Sequence, residues 1–479
     1  MRPEIIFDRK AGFYDRFARQ NRSYCRRSKN FAVPIALTHC LAVIYNFIAA
    51  RAGRRYMSTE TQGLTDGGNA PSDAAVKTPA GADMLPAAAG KMERNVVLDI
   101  LRIVAILFIV FHHFVINNVT AFTADGTGVT FSSLDTGVVV PQFIPMFLGS
   151  EFIDCILIVG VNLFFLLSGF FSIRLKPAKI VQLLLKTYVY FTLGELIAFA
   201  AGVTSYGSAA DAAIGCLTAP AKYWFVLVYC ALCIIAPLLN KFAEKLDGKS
   251  IALFVTASVV FCCFIGFISD FWFPYIGTND GYSLLWAGVV YMYGRLISLR
   301  GFGTKRRPAF WFGVFAAAVL LNYTVVALLT AVAREGAWAW HMYGYNNPLV
   351  ALVSVAFFMA FRTMRPVASD GRAAKAVSAV AGHTLGVYLI HCNNPIVSPY
   401  RAFLLSLTAN TLWAQYLLLI PNVLIIFVGA VLIDMLFDKA THRLFAVLSR
   451  AAERFVIFLY NLLSQIFRRL FGSPDGATQ

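Results

Sequence analysis

Charge is scarce in this chain. Only 14% of its 479 residues are Asp, Glu, Lys or Arg, where soluble domains carry roughly 25%. Apolar runs of about 20 residues recur from end to end, which excludes an ordinary soluble fold. No phosphate-cradling glycine-rich loop, metal-ligand motif or Gly-x-Ser-x-Gly elbow is present. The nine cysteines show neither metal spacing nor a cluster in one loop. Cys155, Cys230, Cys233, Cys262 and Cys263 lie inside apolar runs and read as small core residues. Acidic residues are outnumbered, and the net charge of +16 could suggest nucleic acid. That partner is rejected, because the Lys and Arg residues fall in alternate loops between apolar segments.

What is there is hydrophobic: 58% of the residues, 42 of them Phe. The pattern predicts an all-α, polytopic membrane protein with about ten transmembrane helices, at 96–119, 152–173, 180–201, 223–239, 251–271, 283–299, 310–333, 348–361, 377–391 and 412–437. Basic residues gather in the loops that hold Arg174, Lys176 and Lys179; Lys241, Lys245 and Lys249; Arg300, Lys305, Arg306 and Arg307; and Arg362, Arg365, Arg372 and Lys375. The longest opposite loop, 120–151, contains Asp125 and Asp135 and no basic residue. Both ends of the ten-helix unit are therefore expected in the cytoplasm.

The division expected is a doubtful extension at 1–56, a flexible linker at 57–92, the membrane unit at 93–443 and a basic amphipathic tail at 444–479. The apolar run 31–50 has Arg or Lys on both flanks, so it carries no orientation. Three readings compete, a peripheral or re-entrant segment, a removed targeting sequence and an upstream translation; the expectation is that the protein starts at Met57. In the tail, Phe445, Leu448, Ala452, Phe455, Leu459, Leu462, Ile466 and Leu470 recur at helical spacing beside Arg450, Arg454, Arg468 and Arg469, as in a helix lying on the inner leaflet.

The first helix holds the most informative residues. An ionisable side chain within hydrocarbon costs at least a few kcal/mol and is by default a functional candidate. Asp99 and Arg102 lie one turn apart and can pair. His113 follows Arg102 by eleven positions, so it returns to the same face within about 20°, roughly 16 Å along the axis, while His112 lies about 100° away. Asn162 is a polar group at membrane depth that needs a partner. Ser168-Gly169 reads as a packing notch or a functional pair. Trp224, at the start of the fourth helix, reads as an interfacial anchor, and His391 as a lone histidine near the outer side. Asp434 answers Arg102, Arg295 or a histidine. Asn346-Asn347-Pro348 looks like a helix start.

In order, these pieces resemble the acyltransferase 3 family of bacterial integral membrane O-acyltransferases. The resemblance rests on Leu-Asp-x-x-Arg-x10-His (Asp99, Arg102, His113), Phe-Phe-x-x-Ser-Gly (Phe164, Phe165, Ser168, Gly169), Tyr-Trp-Phe (Tyr223, Trp224, Phe225), Tyr-x-Tyr-Gly (Gly294) and Gly-Val-Tyr-Leu-Ile-His (Tyr388, His391), over about residues 94–443. It implies transfer of an acyl group, usually acetyl, from cytoplasmic acyl-CoA to a hydroxyl of a cell-surface glycan or lipid-linked sugar, in the bacterial inner membrane. Arg102 and His113 stand where the family's essential Arg and His lie. Asn162 replaces a common Asp, and Lys176 and Lys179 replace Arg-x-x-Arg, which keeps charge but loses bidentate phosphate binding. The expected catalytic set is His113, Arg102 and Asp99, with acyl-CoA at Arg102, Lys176 and Lys179, and Asn162, Ser168, Trp224 and His391 in support. No permanently bound cofactor and no metal are expected; acyl-CoA, the acceptor and membrane lipid are the partners. A secondary transporter is the alternative, although no inverted repeat or matched pair of broken helices is visible. A scaffold would have little reason for charges on one stripe.

Overall fold

The structure, a computed structural model, describes residues 95–124, 128–136, 139–202, 208–272, 276–408 and 411–471. The expected N-terminal extension and linker lie outside the described residues. Helix α1 spans Val96–Asn118, where the Asn95 side chain accepts a hydrogen bond from the Leu98 amide at 3.2 Å. A short antiparallel pair follows, β1 at Thr120–Phe122 and β2 at Gly128–Thr130. Next come α2 (Ile144–Leu157), α3 (Gly160–Phe170), α4 (Pro177–Ala200), α5 (Ala209–Leu217) and α6 (Trp224–Lys245). Helix α7 (Gly248–Ser258) continues through a π-helical stretch, Val259–Gly266, into α8 (Phe267–Trp272). The rest is α9 (Leu284–Arg300), α10 (Pro308–Leu328), α11 (Gly336–His341), α12 (Pro348–Arg362), α13 (Arg372–Gly382), α14 (Thr384–His391), α15 (Asn394–Leu407) and α16 (Leu412–Phe471).

Every segment expected to span is helical, but a count of ten spans is not confirmed. Among the described residues seven helices are long and apolar enough to cross a membrane: Val96–Asn118, Pro141–Phe170, Pro177–Ala200, Trp224–Lys245, Gly248–Trp272, Pro308–Ala333 and Leu412–Leu459. The pair α13 and α14, bent by 43°, would make an eighth. The sixth and eighth expected spans, α9 and α12, have 17 and 15 residues, at and below the lower end of the roughly 17–25 that crossing a bilayer takes. The second starts earlier than its apolar run, because Pro141, Pro145, Gly149 and Glu151 hide its helical beginning. The tail is helical, as its spacing implies, yet α16 runs unbroken past residue 443 to Phe471.

Large apolar side chains coat the outside. Phe199, Leu238, Leu253, Val332 and Leu417 are all more than half exposed, which only an apolar solvent tolerates over so many elements. Inside, the core is centred on α1, whose Leu98, Leu101, Ala105, Ile106, Val110, Phe114 and Val115 are buried. Helices α3 and α9 meet at two glycines. A Cβ on Gly169 would overlap the Tyr291 carbonyl oxygen, and one on Gly294 the Leu166 carbonyl oxygen, so each backbone lies in the other's notch.

The basic loops gather at one end. The Asn240 side-chain amide donates to the Ile173 carbonyl at 3.0 Å and Arg300 to the Leu246 carbonyl at 2.6 Å. The Arg102 and Arg362 guanidiniums lie over the Phe171 and Phe170 rings at 5.9 and 5.2 Å. The opposite end is closed by β1, whose Thr120 exchanges backbone bonds with the Gln415 side chain at 2.7 and 2.9 Å.

Candidate active site

A cavity of about 1030 Å³ opens among α1, α3, α4, α6, α14 and α16. Arg102, Lys176 and Lys179 line it near the basic end, and His113 lines it deeper in. The two α1 residues that helical arithmetic put on one face thus border one space. Asp99 is buried beneath Arg102. One of its oxygens accepts from the guanidinium at 3.2 Å and the other from the Ser378 hydroxyl at 2.7 Å, so the carboxylate orients the arginine and ties α13 to α1. Lys176 and Lys179 are exposed, at the loop before α4 and in its first turn.

His113 does not act alone. Its Nδ1 lies 3.0 Å from Nε2 of His391, at the end of α14, and the Nδ1 of His391 lies 2.7 Å from the Val387 carbonyl one turn earlier. A carbonyl only accepts, so His391 carries its hydrogen on Nδ1 and offers a lone pair at Nε2. For two neutral rings the shared contact then needs a hydrogen on His113 Nδ1, which leaves the lone pair on His113 Nε2. His391 is buried, with 1% of its surface exposed. It is a partner of the central histidine rather than a lone interfacial residue.

His112, the neighbour, has a different fate. Its Nδ1 lies 2.5 Å from a carboxylate oxygen of Asp154 on α2, and both side chains are buried. This is a closed pair away from the cavity.

Asn162 finds three partners. Its amide donates to the Tyr345 carbonyl at 3.0 Å and the Ser354 hydroxyl at 3.1 Å, and its oxygen accepts from the Trp286 indole at 3.0 Å. It is a buried knot joining α3, α9 and α12, and an amide serves three such partners as a carboxylate could not. Ser168 lines the cavity while Gly169 supplies the notch, so the pair divides the two roles between them. Trp224 also lines the cavity, with ring centroids 4.6 Å from Tyr282 and 6.0 Å from Tyr345. It belongs to an aromatic wall and is not an anchor at the bundle's edge.

Asp434 pairs with none of the arginines proposed for it. Lys186 meets it at 2.7 Å, His383 at 2.7 Å and the Tyr190 hydroxyl at 2.8 Å, while Arg295 pairs with Glu244 at 2.8 Å. Lys186 also reaches Asp438 at 2.9 Å, and both line the cavity. Sequence reasoning missed Lys186 and Asp154. The rule that singled out Arg102, an ionisable group within an apolar helix, applied to both equally.

No curated protein and no solved structure matches the chain significantly. The model of the acyltransferase domain does match, over residues 95–437, well over half of the chain. That region carries Asp99, Arg102, His113 and His391, and with its apolar helices around one cavity the chain belongs to the acyltransferase 3 family and is a membrane acyltransferase.

Proposed function

We propose that this protein moves an acyl group, acetyl in the simplest case, from acyl-CoA to a hydroxyl of a cell-surface glycan or lipid-linked sugar. The observation that carries this reading is the continuity of the cavity from Arg102, Lys176 and Lys179 to His113. CoA is an extended molecule with phosphates at one end and a thioester at the other. Cations at the mouth attract the phosphates. The roughly 16 Å rise along α1 then suits delivery of the thioester towards the imidazole.

His113 acts as general base. Its Nε2 takes the proton of the acceptor hydroxyl as that oxygen attacks the thioester carbonyl. The tetrahedral intermediate collapses with loss of the CoA thiolate, which receives the proton back from His113 and leaves as free thiol. Positive charge that builds on the ring is met by the His391 lone pair, itself held by the Val387 carbonyl, the logic of an oriented base. Asp99 positions Arg102.

By loop charge the basic end faces the cytoplasm of a bacterial inner membrane. In intact cells lacking reactive native cysteines, Ser132→Cys is expected to label with an impermeant maleimide and Thr304→Cys not to; the reverse pattern inverts the topology. The reaction is tested with purified full-length protein and acetyl-CoA. Release of CoA thiol that depends on an added hydroxyl acceptor supports transfer. Transport of acetyl-CoA into vesicles without thiol release would overturn it.

A further inference from the structure

Beside the histidine pair lies a third donor with no place in the acyl-transfer steps. Cys392 follows His391 directly, and its Sγ sits 3.4 Å from His391 Nε2 and 3.6 Å from His113 Nδ1, with the two nitrogens 3.0 Å apart. The three atoms come from chain positions far apart, so no linear metal motif announces them. Tetrahedral zinc with nitrogen ligands at about 2.05 Å and thiolate at about 2.3 Å requires donor edges of about 3.3 Å between nitrogens and about 3.6 Å from nitrogen to sulfur. The observed triangle needs adjustments of a few tenths of an ångström at most. The other edge of the requirement is also met, since the Val387 carbonyl holds His391 in the tautomer that directs Nε2 at the site, as the outer partner of a metal-bound histidine does.

We propose that His113 Nδ1, His391 Nε2 and Cys392 Sγ form a binding site for a borderline-soft divalent cation, zinc above all, and that its occupancy switches the transferase off. Two imidazoles and a thiol favour zinc over magnesium or calcium, which take oxygen donors. Water from the cavity that His113 borders is the proposed fourth ligand. Inhibition follows from the tautomer. A metal on His113 Nδ1 needs the lone pair there, so the ring hydrogen moves to Nε2 and the nitrogen that serves as base becomes a donor. The Cys392 thiol gives its proton to solvent, so one proton leaves per ion bound. A second triangle of donors, His383, Asp434 and Asp438, makes no comparable site, because the Lys186 ammonium already bridges its two carboxylates.

The inhibitory effect rests on His113 being the base; the site itself does not. The full-length protein, solubilised and stripped with chelator, is titrated with cobalt(II) chloride and read by its thiolate-to-metal charge-transfer absorption, then with zinc chloride in the transferase assay. The expected result is one cobalt band that zinc displaces, and zinc inhibition that weakens on the order of tenfold or more in Cys392→Ser while basal turnover is retained. Cys392→Ala serves as the second variant should the serine protein fold poorly. Absence of the band, or equal zinc sensitivity in folded Cys392→Ser and wild type, overturns the site. A band that forms stoichiometrically without inhibition leaves the site standing and overturns the role given to His113 Nε2.

Discussion

His112 and His113 are consecutive residues with opposite surroundings. One rotation of 100° sends His112 into a closed pair with Asp154, while His113 borders the cavity and leans on a second histidine. Both are ionisable groups within an apolar helix, so the cost of placing them there does not tell them apart. What separates them is whether the partner is sealed or faces a space a substrate can enter. A sealed, buried hydrogen-bonded pair offers nothing to a substrate, and removing one member leaves the other without its partner. A histidine at the border of a cavity has its second nitrogen to spare.

The sharpest way to break this comparison is to remove each ring in turn. His113→Ala is expected to lower acceptor-dependent CoA release by about 10²- to 10⁴-fold, the usual contribution of a general base, with no change in thermal unfolding beyond a modest loss. His112→Ala is expected to do the reverse. It strands the Asp154 side chain, of which none is exposed, and leaving a buried polar group without its partner costs about 1–3 kcal/mol, more for a charged one. The readouts are unfolding temperature and yield in detergent, together with turnover per folded molecule. His112→Leu combined with Asp154→Leu should recover part of the lost stability. Equal loss of turnover in folded His112→Ala would erase the distinction between the two histidines.

Arg102 comes next in size. Arg102→Ala should raise the KM for acetyl-CoA by roughly 10- to 100-fold, the worth of a charge-assisted contact of about 1.5–3 kcal/mol, and free Asp99 of one partner. Arg102→Lys should restore part of it, because charge returns without the fork. A kcat effect with unchanged KM would move Arg102 from donor capture to the reacting centre. The smallest effect belongs to Lys176 and Lys179. Both are exposed, so each alone should alter KM only a few-fold, in keeping with the about 0–1 kcal/mol typical of surface charges, and the effect should fade with added salt. A salt-independent loss would place one of them in direct, desolvated contact with the phosphates.

Helices were legible in this chain because an apolar run of bilayer length is a strong, local signal. Weak spots followed from the same physics. Helices α9 and α12 are apolar but short, and the beginning of the second span is hidden by Pro, Gly and an acid. The stripe of Arg102 and His113 was legible because helical rotation is arithmetic within one element. Trp224 was not, since a tryptophan at a helix start looks the same whether it faces lipid or a cavity wall.

By itself, then, the sequence determined that the protein is helical and made for an apolar solvent, which residues share the α1 face, and that an acid sits beside Arg102. These are consequences of composition and of a fixed 3.6-residue period. Only the tertiary structure decided the partners. His391 lies 278 positions from His113, and Lys186 lies 248 from Asp434; no periodicity reaches that far. The choice among candidates for each buried charge is made by which helices touch, and that depends on notches such as Gly169 against Tyr291 and Gly294 against Leu166, where a missing side chain sets how closely two backbones approach.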